Sequence, residues 1–254
     1  MLGKVYFIGA GPGDPELLTI KGKRILESAD LVVYADSLVD PRVCEYARPG
    51  AEIHGSASLH LEEIVGLMVN AVREGKTVAR LHTGDPSIFG AIDEQMAALE
   101  VEGIPYEVVP GVSSLFAAAA ALATELTLPD ISQTVIISRR EGRTPVPEGQ
   151  SIPELSRHSA TMALFLSAGM LEQVVEELRQ AYPENTPVAV VYRASWPDQK
   201  VVRGTLQNIT NLASGIRQQA MILVGEVLDP SRRNRSGSRL YNRSFGHGRR
   251  PAGR

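Results

Sequence analysis

A single cysteine, Cys44, stands in a chain of 254 residues, which excludes an intramolecular disulfide and a cysteine-rich zinc site. A cysteine without partners reads as a small buried hydrophobe. The five histidines show no paired ligand spacing, so no metal is expected. No apolar run approaches the ~20 residues that span a bilayer. The first strand signal begins at Val5, which leaves no room for a signal peptide. The expectation is a cytoplasmic protein with no membrane partner.

Acidic residues are missing from the C-terminal segment. Residues 231–254 hold eight of the 26 basic residues and none of the 29 acidic ones, so residues 1–230 carry 18 basic against 29 acidic side chains, a net of −11. An acidic body is a poor nucleic-acid surface, so no nucleic-acid partner is expected. The segment is rich in Ser, Gly, Asn and Arg and reads as a basic, disordered tail.

What is present is an alternation of strand and helix signals. Apolar runs at Val5–Ile8, Leu31–Tyr34, Thr77–Leu81 and Tyr106–Val109 predict buried parallel strands. Thr19–Glu27, Leu61–Glu74 and Ile88–Glu102 have helical periodicity, with Gly75 and Gly103 placed as helix stops. This order predicts a first α/β domain, residues 1–113, with a mainly parallel sheet covered on both faces. A second α/β domain is expected over residues 114–230. It opens with a small-residue helix, Leu115–Ala123, and has strands at Thr134–Ser138, Thr161–Leu166, Val188–Tyr192, Lys200–Arg203 and Met221–Val227. Helices are predicted at Leu171–Tyr182 and Leu206–Arg217, and a charged loop at Arg139–Gln150. Trp196-Pro197-Asp198-Gln199 turns between two short strands, so the second sheet should be mixed.

Three strand-end loops carry unusual residues. Gly9-Ala10-Gly11-Pro12-Gly13-Asp14 nearly matches the dinucleotide fingerprint, but Asp14 stands where the third glycine is needed. Pro12 removes a backbone N–H that a pyrophosphate would use. The second loop is His82-Thr83-Gly84-Asp85-Pro86-Ser87-Ile88-Phe89-Gly90, where Ser87 is placed to cap the following helix. The third is Pro110-Gly111-Val112-Ser113-Ser114. None of the three offers the lysine of a triphosphate-binding loop. Their small side chains, backbone groups and apolar surface suit a phosphate-free ligand, and S-adenosylmethionine has that chemistry.

Taken with Leu18-Thr19-Ile20-Lys21-Gly22, Pro187-Val188-Ala189-Val190-Val191 and Gly204-Thr205-Leu206, these loops resemble the tetrapyrrole (precorrin) methylase family over residues 4 to about 228. The resemblance implies two α/β domains with the methyl-donor site in the cleft between them. It also implies S-adenosyl-L-methionine as donor and S-adenosyl-L-homocysteine as product. The family's donor contacts fall on Pro12, Thr83, Gly84, Asp85, Ile88, Ser113, Ser114, Leu166 and Ala194. Leu166 stands where relatives acting on uroporphyrinogen usually have methionine, and Ser113-Ser114 where they have Thr-Ala.

Further stretches resemble the branch of the family that methylates precorrin-4 at C11 in cobalamin synthesis. They are Tyr34–Val39, Leu81–Ser87, Glu141–Glu148 and Tyr192–Gln199. The implied reaction converts precorrin-4 to precorrin-5, with cobalt-precorrin-4 of the early-cobalt route as the alternative substrate. An RNA methylase of the same fold is the competing expectation, since the wider fold includes such members; the acidic body counts against it.

The acid–base pair of the uroporphyrinogen relatives is not kept: its aspartate falls on Ala35 and its lysine on Ser56. Asp36 is the catalytic candidate here and His82 the second, for taking the proton lost after methyl addition or steering a ring nitrogen. The tetrapyrrole's many carboxylates call for local positive charge, so Ser37, Arg139, Arg140, Arg143 and Arg193 are the substrate-binding candidates. A homodimer is expected, as is common for small α/β enzymes of this type.

Overall fold

Two five-stranded sheets organise the computed structural model, which describes residues 3–231, 245–246 and 248–251. Most of the tail expected at 231–254 therefore lies outside the described residues. Contacts divide the chain into two units. The first runs to Ala117 and includes Arg193–Asp198; the second is Ala118–Tyr192 and the chain from Gln199 onward.

In the first unit, β1 (Val5–Gly9), β2 (Leu31–Tyr34), β3 (Glu52–Gly55), β4 (Val78–His82) and β5 (Tyr106–Val109) pair in parallel in the order β3-β2-β4-β1-β5. Alternate residues feed two cores, as the period of a strand requires. Ile8, Val32, Leu81 and Val109 pack with Leu18, Leu26 of α1 (Ile20–Leu26), Val39 and Val43. Val5, Phe7, Leu31, Val33 and Val78 pack on the other face with α2 (Leu61–Arg73) and with Leu99 of α3 (Asp93–Val101). The chain thus leaves β1 over one face and leaves its neighbour β4 over the other. Adjacent strands that part in this way open a crevice at their carboxyl ends.

Two 3-10 turns, Pro15–Leu17 and Pro41–Tyr46, have no counterpart among the predicted elements. Both follow an Asp-Pro pair. Asp14 accepts from Glu16 N–H, Asp40 accepts from Arg42 N–H, and each proline takes the first helical position.

The second unit has β6 (Val135–Arg139), β7 (Thr161–Phe165), β8 (Pro187–Tyr192), β9 (Lys200–Thr205) and β10 (Ala220–Val224) in the order β6-β7-β10-β8-β9. Only β6 and β7 run parallel, so the sheet is mixed. α5 (Ile152–Ser156), α6 (Leu171–Leu178) and α7 (Ile209–Leu212) supply Ile152, Leu171, Val174, Val175, Leu178 and Ile209 to a core with Met162, Leu164, Val188, Val190, Ile222 and Val224. α4 (Ser114–Ala121) matches the expected small-residue helix.

Three predicted helices change their bounds. α3 begins at Asp93 and not at Ile88, because Phe89 and Ala91 have φ of 55° and 48°. Ser87 therefore does not cap it. The helix expected over Leu206–Arg217 contracts to α7, a single turn. Leu171–Tyr182 shortens to α6, ending at Leu178.

Candidate functional site

The loops after β1 and β4 are bound to one another by their own backbone groups, and the loop after β5 packs against both. Ala10 N–H donates to His82 O at 2.7 Å, Gly11 N–H to Gly84 O at 3.3 Å, and Gly84 N–H to Gly11 O at 2.8 Å. Gly111 is pressed so closely that a Cβ there would lie 2.2 Å from Gly84 O. The Asp85 carboxylate ties the second loop to the third. It accepts from Gly111 N–H at 2.8 Å, from Ser87 N–H at 2.9 Å and from the Ser87 hydroxyl. Burial alone would raise its pKa, but these donors outweigh burial and hold the carboxyl below its ordinary value.

The first loop is clamped from another direction. Asp14 N–H donates to Ser195 Oγ at 3.0 Å, and Trp196 Nε1–H donates to Pro12 O at 2.9 Å. The indole fills the space over Gly13, where a Cβ would lie 2.0 Å from Trp196 Cδ1. Arg193 lies over the indole, its guanidinium carbon 3.9 Å from the ring centre, and pairs with Asp198 at 2.7 Å. Buried Ala194 sits between Arg193 and Ser195, whose backbones are both left-handed, at φ 44° and 70°.

In this arrangement Ala10, Gly11 and Asp14 spend their amides on protein oxygens, and Pro12 has none to give. A pyrophosphate would find three of the turn's N–H groups already engaged. A ligand without phosphate makes no such demand, so the residues present fit S-adenosylmethionine and not a dinucleotide. Pro12, Gly84 and Ser113 are buried, and Thr83, Asp85, Ile88 and Ser114 are half-buried around the same strand ends. Ser113 Oγ accepts from Leu115 N–H at 3.3 Å at the start of α4.

Asp36 and Ser37 are exposed just past β2. Asp36 Oδ1 accepts Ala57 N–H at 2.7 Å. Ser56, the position the resemblance aligns with a lysine, is buried; its hydroxyl donates to Tyr34 O at 3.1 Å and accepts from Arg80 at 3.0 Å. Arg80 is a site residue that sequence reading missed. It is 5% exposed on β4, donates to Gln95 Oε1 at 3.0 Å, and burial lowers its pKa to about 10 against the field of Asp36. The missed signal was a charged residue in the middle of an apolar strand.

His82 is only 4% exposed and tilts against Phe7, ring centres 5.9 Å apart. Burial first, then the Arg80 cation, push its pKa down to about 3, while the Gly90 backbone opposes them. It is therefore a neutral imidazole at physiological pH, without the poise of a proton carrier.

In the second unit, Leu166 follows β7 with φ 54° and is 64% exposed, an unusual state for a large apolar side chain. Arg139 donates to the carbonyls of Arg140, Thr144 and Pro145, closing its own loop. Arg140 pairs with Glu177 at 2.7 Å, and Arg143 is exposed. Two of the three loop arginines thus hold protein groups. Among the described residues, no helix is long and apolar enough to cross a membrane, and no metal-binding cluster of His, Cys, Asp and Glu occurs.

Comparison with known proteins agrees with this chemistry. The profile of the tetrapyrrole (corrin/porphyrin) methylases matches residues 4–210. The chain is 56% identical to the cobalt-precorrin-4 C(11)-methyltransferase of Methanocaldococcus jannaschii, over 96% of this chain and 95% of that one. It is 51% identical to the precorrin-4 C(11)-methyltransferase of Pseudomonas aeruginosa, over 88% and 90%. The solved structure of a cobalt-precorrin-4 methyltransferase superposes with a TM-score of 0.87 at 53% identity, covering 89% of this chain and 96% of the other. A uroporphyrin-III C-methyltransferase from Thermus thermophilus, solved with S-adenosyl homocysteine, is 32% identical with a TM-score of 0.75, covering 89% and 99%. The chain belongs to the tetrapyrrole methylases.

Proposed function

We propose that this chain transfers a methyl group from S-adenosylmethionine to C11 of precorrin-4, and that its substrate carries cobalt. The observation that carries the substrate assignment is the near-full-length similarity to the Methanocaldococcus jannaschii enzyme, which is named for that substrate. Metal-free precorrin-4, the substrate in the name of the Pseudomonas aeruginosa relative, is the second reading. The engaged amides of Ala10, Gly11 and Asp14 support the donor assignment, since a phosphate would have to compete for them.

Pro12, Thr83, Gly84, Asp85, Ile88, Ser113, Ser114, Ala194 and Leu166 are proposed as donor contacts. The donor supplies a methyl on a sulfonium, already a good leaving group. The chain's task is therefore alignment and not activation of the leaving group. Asp36, exposed and anchored through one oxygen by Ala57, is the proposed acceptor of the proton lost at the macrocycle or the partner of a ring nitrogen. It follows β2, two strands from β1, hence about 10 Å across the sheet edge from the glycine turn. Ser37, Arg143 and Arg193 are proposed to meet substrate hydroxyl or carboxylate groups, with Arg139 and Arg140 shaping the loop that carries Arg143. A homodimer in the cytoplasm, without a nucleic-acid substrate, completes the reading.

The test is label transfer from methyl-labelled S-adenosylmethionine to cobalt-precorrin-4, precorrin-4 and rRNA in parallel. Label on the cobalt compound is expected. Preference for the metal-free compound would move the assignment to the second reading, and label on RNA alone would sink both.

A further inference from the structure

The chain's one tryptophan lies in a turn that contacts do not assign to the unit of its flanking strands. β8 and β9 belong to the second unit, yet Arg193–Asp198 between them belongs to the first. Three features of that turn meet the 12–14 stretch. The Trp196 indole N–H holds Pro12 O, its ring takes the volume a side chain at Gly13 would need, and Ser195 Oγ receives Asp14 N–H. Pro12 is rigid, so fixing its carbonyl and the next two residues leaves the glycine turn a single shape. Two residues of the clamp, Arg193 and Ser195, are held left-handed without being glycine. Such backbone persists where surrounding contacts over-determine it.

We propose that Trp196 is a positioning residue for the methyl donor: it sets the shape of the 11–14 turn through the Pro12 carbonyl and touches no reacting atom. Ser195 is its second fastening. The proposal rests on the reading that this turn binds the donor. It makes donor affinity, and not the chemical step, the quantity under Trp196 control. Trp196 also becomes a built-in reporter, because no other indole contributes to the chain's fluorescence.

The experiment measures S-adenosylhomocysteine binding to the full chain by calorimetry for the wild type, Trp196→Phe and Ser195→Ala, and by tryptophan emission for the wild type and Ser195→Ala, which keep the indole. Phe keeps a ring over Gly13 but cannot donate to Pro12 O. The wild type should bind with a saturable change in emission. Trp196→Phe should bind about fivefold more weakly, the equilibrium worth of one hydrogen bond. Its KM for S-adenosylmethionine should rise by the same factor, with kcat at saturating donor and KM for the tetrapyrrole unchanged. Ser195→Ala, which leaves the indole in place, should show the same split and covers the case in which Trp196→Phe does not fold. Wild-type affinity in both variants would overturn the proposal, as would a fall in kcat with donor KM unchanged. Absence of S-adenosylhomocysteine binding by the wild type would overturn the donor reading itself, a separate and distinguishable result.

Discussion

The carboxylate of Asp36 occupies the space that a side chain at Gly55 would need: a Cβ on residue 55 would lie 2.7 Å from Asp36 Cγ. The end of β3 thereby seats the group that follows β2, and Ala57 N–H fixes one of its oxygens. Below them Arg80 joins the same two strand ends, donating to Ser56 Oγ and to Val33 O. One oxygen of this exposed aspartate is thus fixed by the backbone, which suits a group that must meet a substrate in one orientation.

Asp36→Asn removes the charge and keeps the Ala57 hydrogen bond. Turnover should fall by about 10²-fold, the range of general acid–base groups, with S-adenosylhomocysteine affinity unchanged. Gly55→Ala leaves the carboxylate in the chain but displaces it, and turnover should fall by about tenfold or more through misalignment. Single-turnover methyl transfer with calorimetric donor binding checks both. Near-normal turnover in Asp36→Asn would remove it from the reaction.

Asp85 is the tie between two of the strand-end loops. Asp85→Ala leaves the Gly111 and Ser87 amides without their acceptor and should cost about 1–3 kcal/mol in urea unfolding, together with weaker donor binding. Because the folded-state pKa lies below the ordinary value, the carboxylate's stabilisation is complete above the unfolded value. It is lost as pH falls through the lowered one. The stability gap between wild type and variant should therefore close in strong acid. A gap that persists undiminished there would contradict the charge-assisted role.

Four strands of the parallel sheet were legible as short, mainly apolar runs, and Leu31–Tyr34 and Tyr106–Val109 match to the residue; β3, Glu52-Ile53-His54-Gly55, is too polar to read as one and was missed. The turn after β1 was legible as a departure from the dinucleotide fingerprint. α5 was missed although Ser151 and Glu154 form a capping box, because the surrounding charge and proline read as loop. The start of α3 was misplaced because its periodicity runs back through Phe89 and Ala91. Gly90 packs closely between them, where a Cβ would lie 2.1 Å from Pro86 O. The return of residues 193–198 to the first unit is a long-range contact, and no local pattern encodes it.

His82 contributes a pH-dependence of stability at higher pH than Asp85 does. Its folded pKa of about 3 lies below the ordinary 6.5, so between those values the unfolded chain binds a proton that the folded chain does not. Stability therefore falls as pH drops below 6.5, with a slope of about 1.4 kcal/mol per pH unit from this group. His82→Asn should flatten that slope when urea midpoints are compared at pH 7 and 4.5. It should leave the pH dependence of kcat/KM between pH 6 and 8 unchanged. A new inflection, or loss of one, in that rate profile would return His82 to the proton-transfer candidates.

The loop arginines separate into a structural member and a candidate for substrate contact. Arg140 pairs with Glu177 with both side chains about four-fifths covered, 22% and 21% exposed, and its N–H donates to fully buried Ser167 Oγ at 2.8 Å. Arg140→Ala should lower unfolding stability by about 1–2 kcal/mol, since a hydrogen-bonded charge loses its partner. Arg143 is exposed, and Arg143→Ala should leave stability within about 0.5 kcal/mol. If its guanidinium meets a substrate carboxylate, KM for the tetrapyrrole rises several-fold in Arg143→Ala while donor KM stays at the wild-type value. The contrast is read from thermal unfolding and steady-state kinetics on the two variants. An unchanged tetrapyrrole KM in Arg143→Ala would remove the loop from substrate recognition and leave Arg139 and Arg140 as braces of the fold.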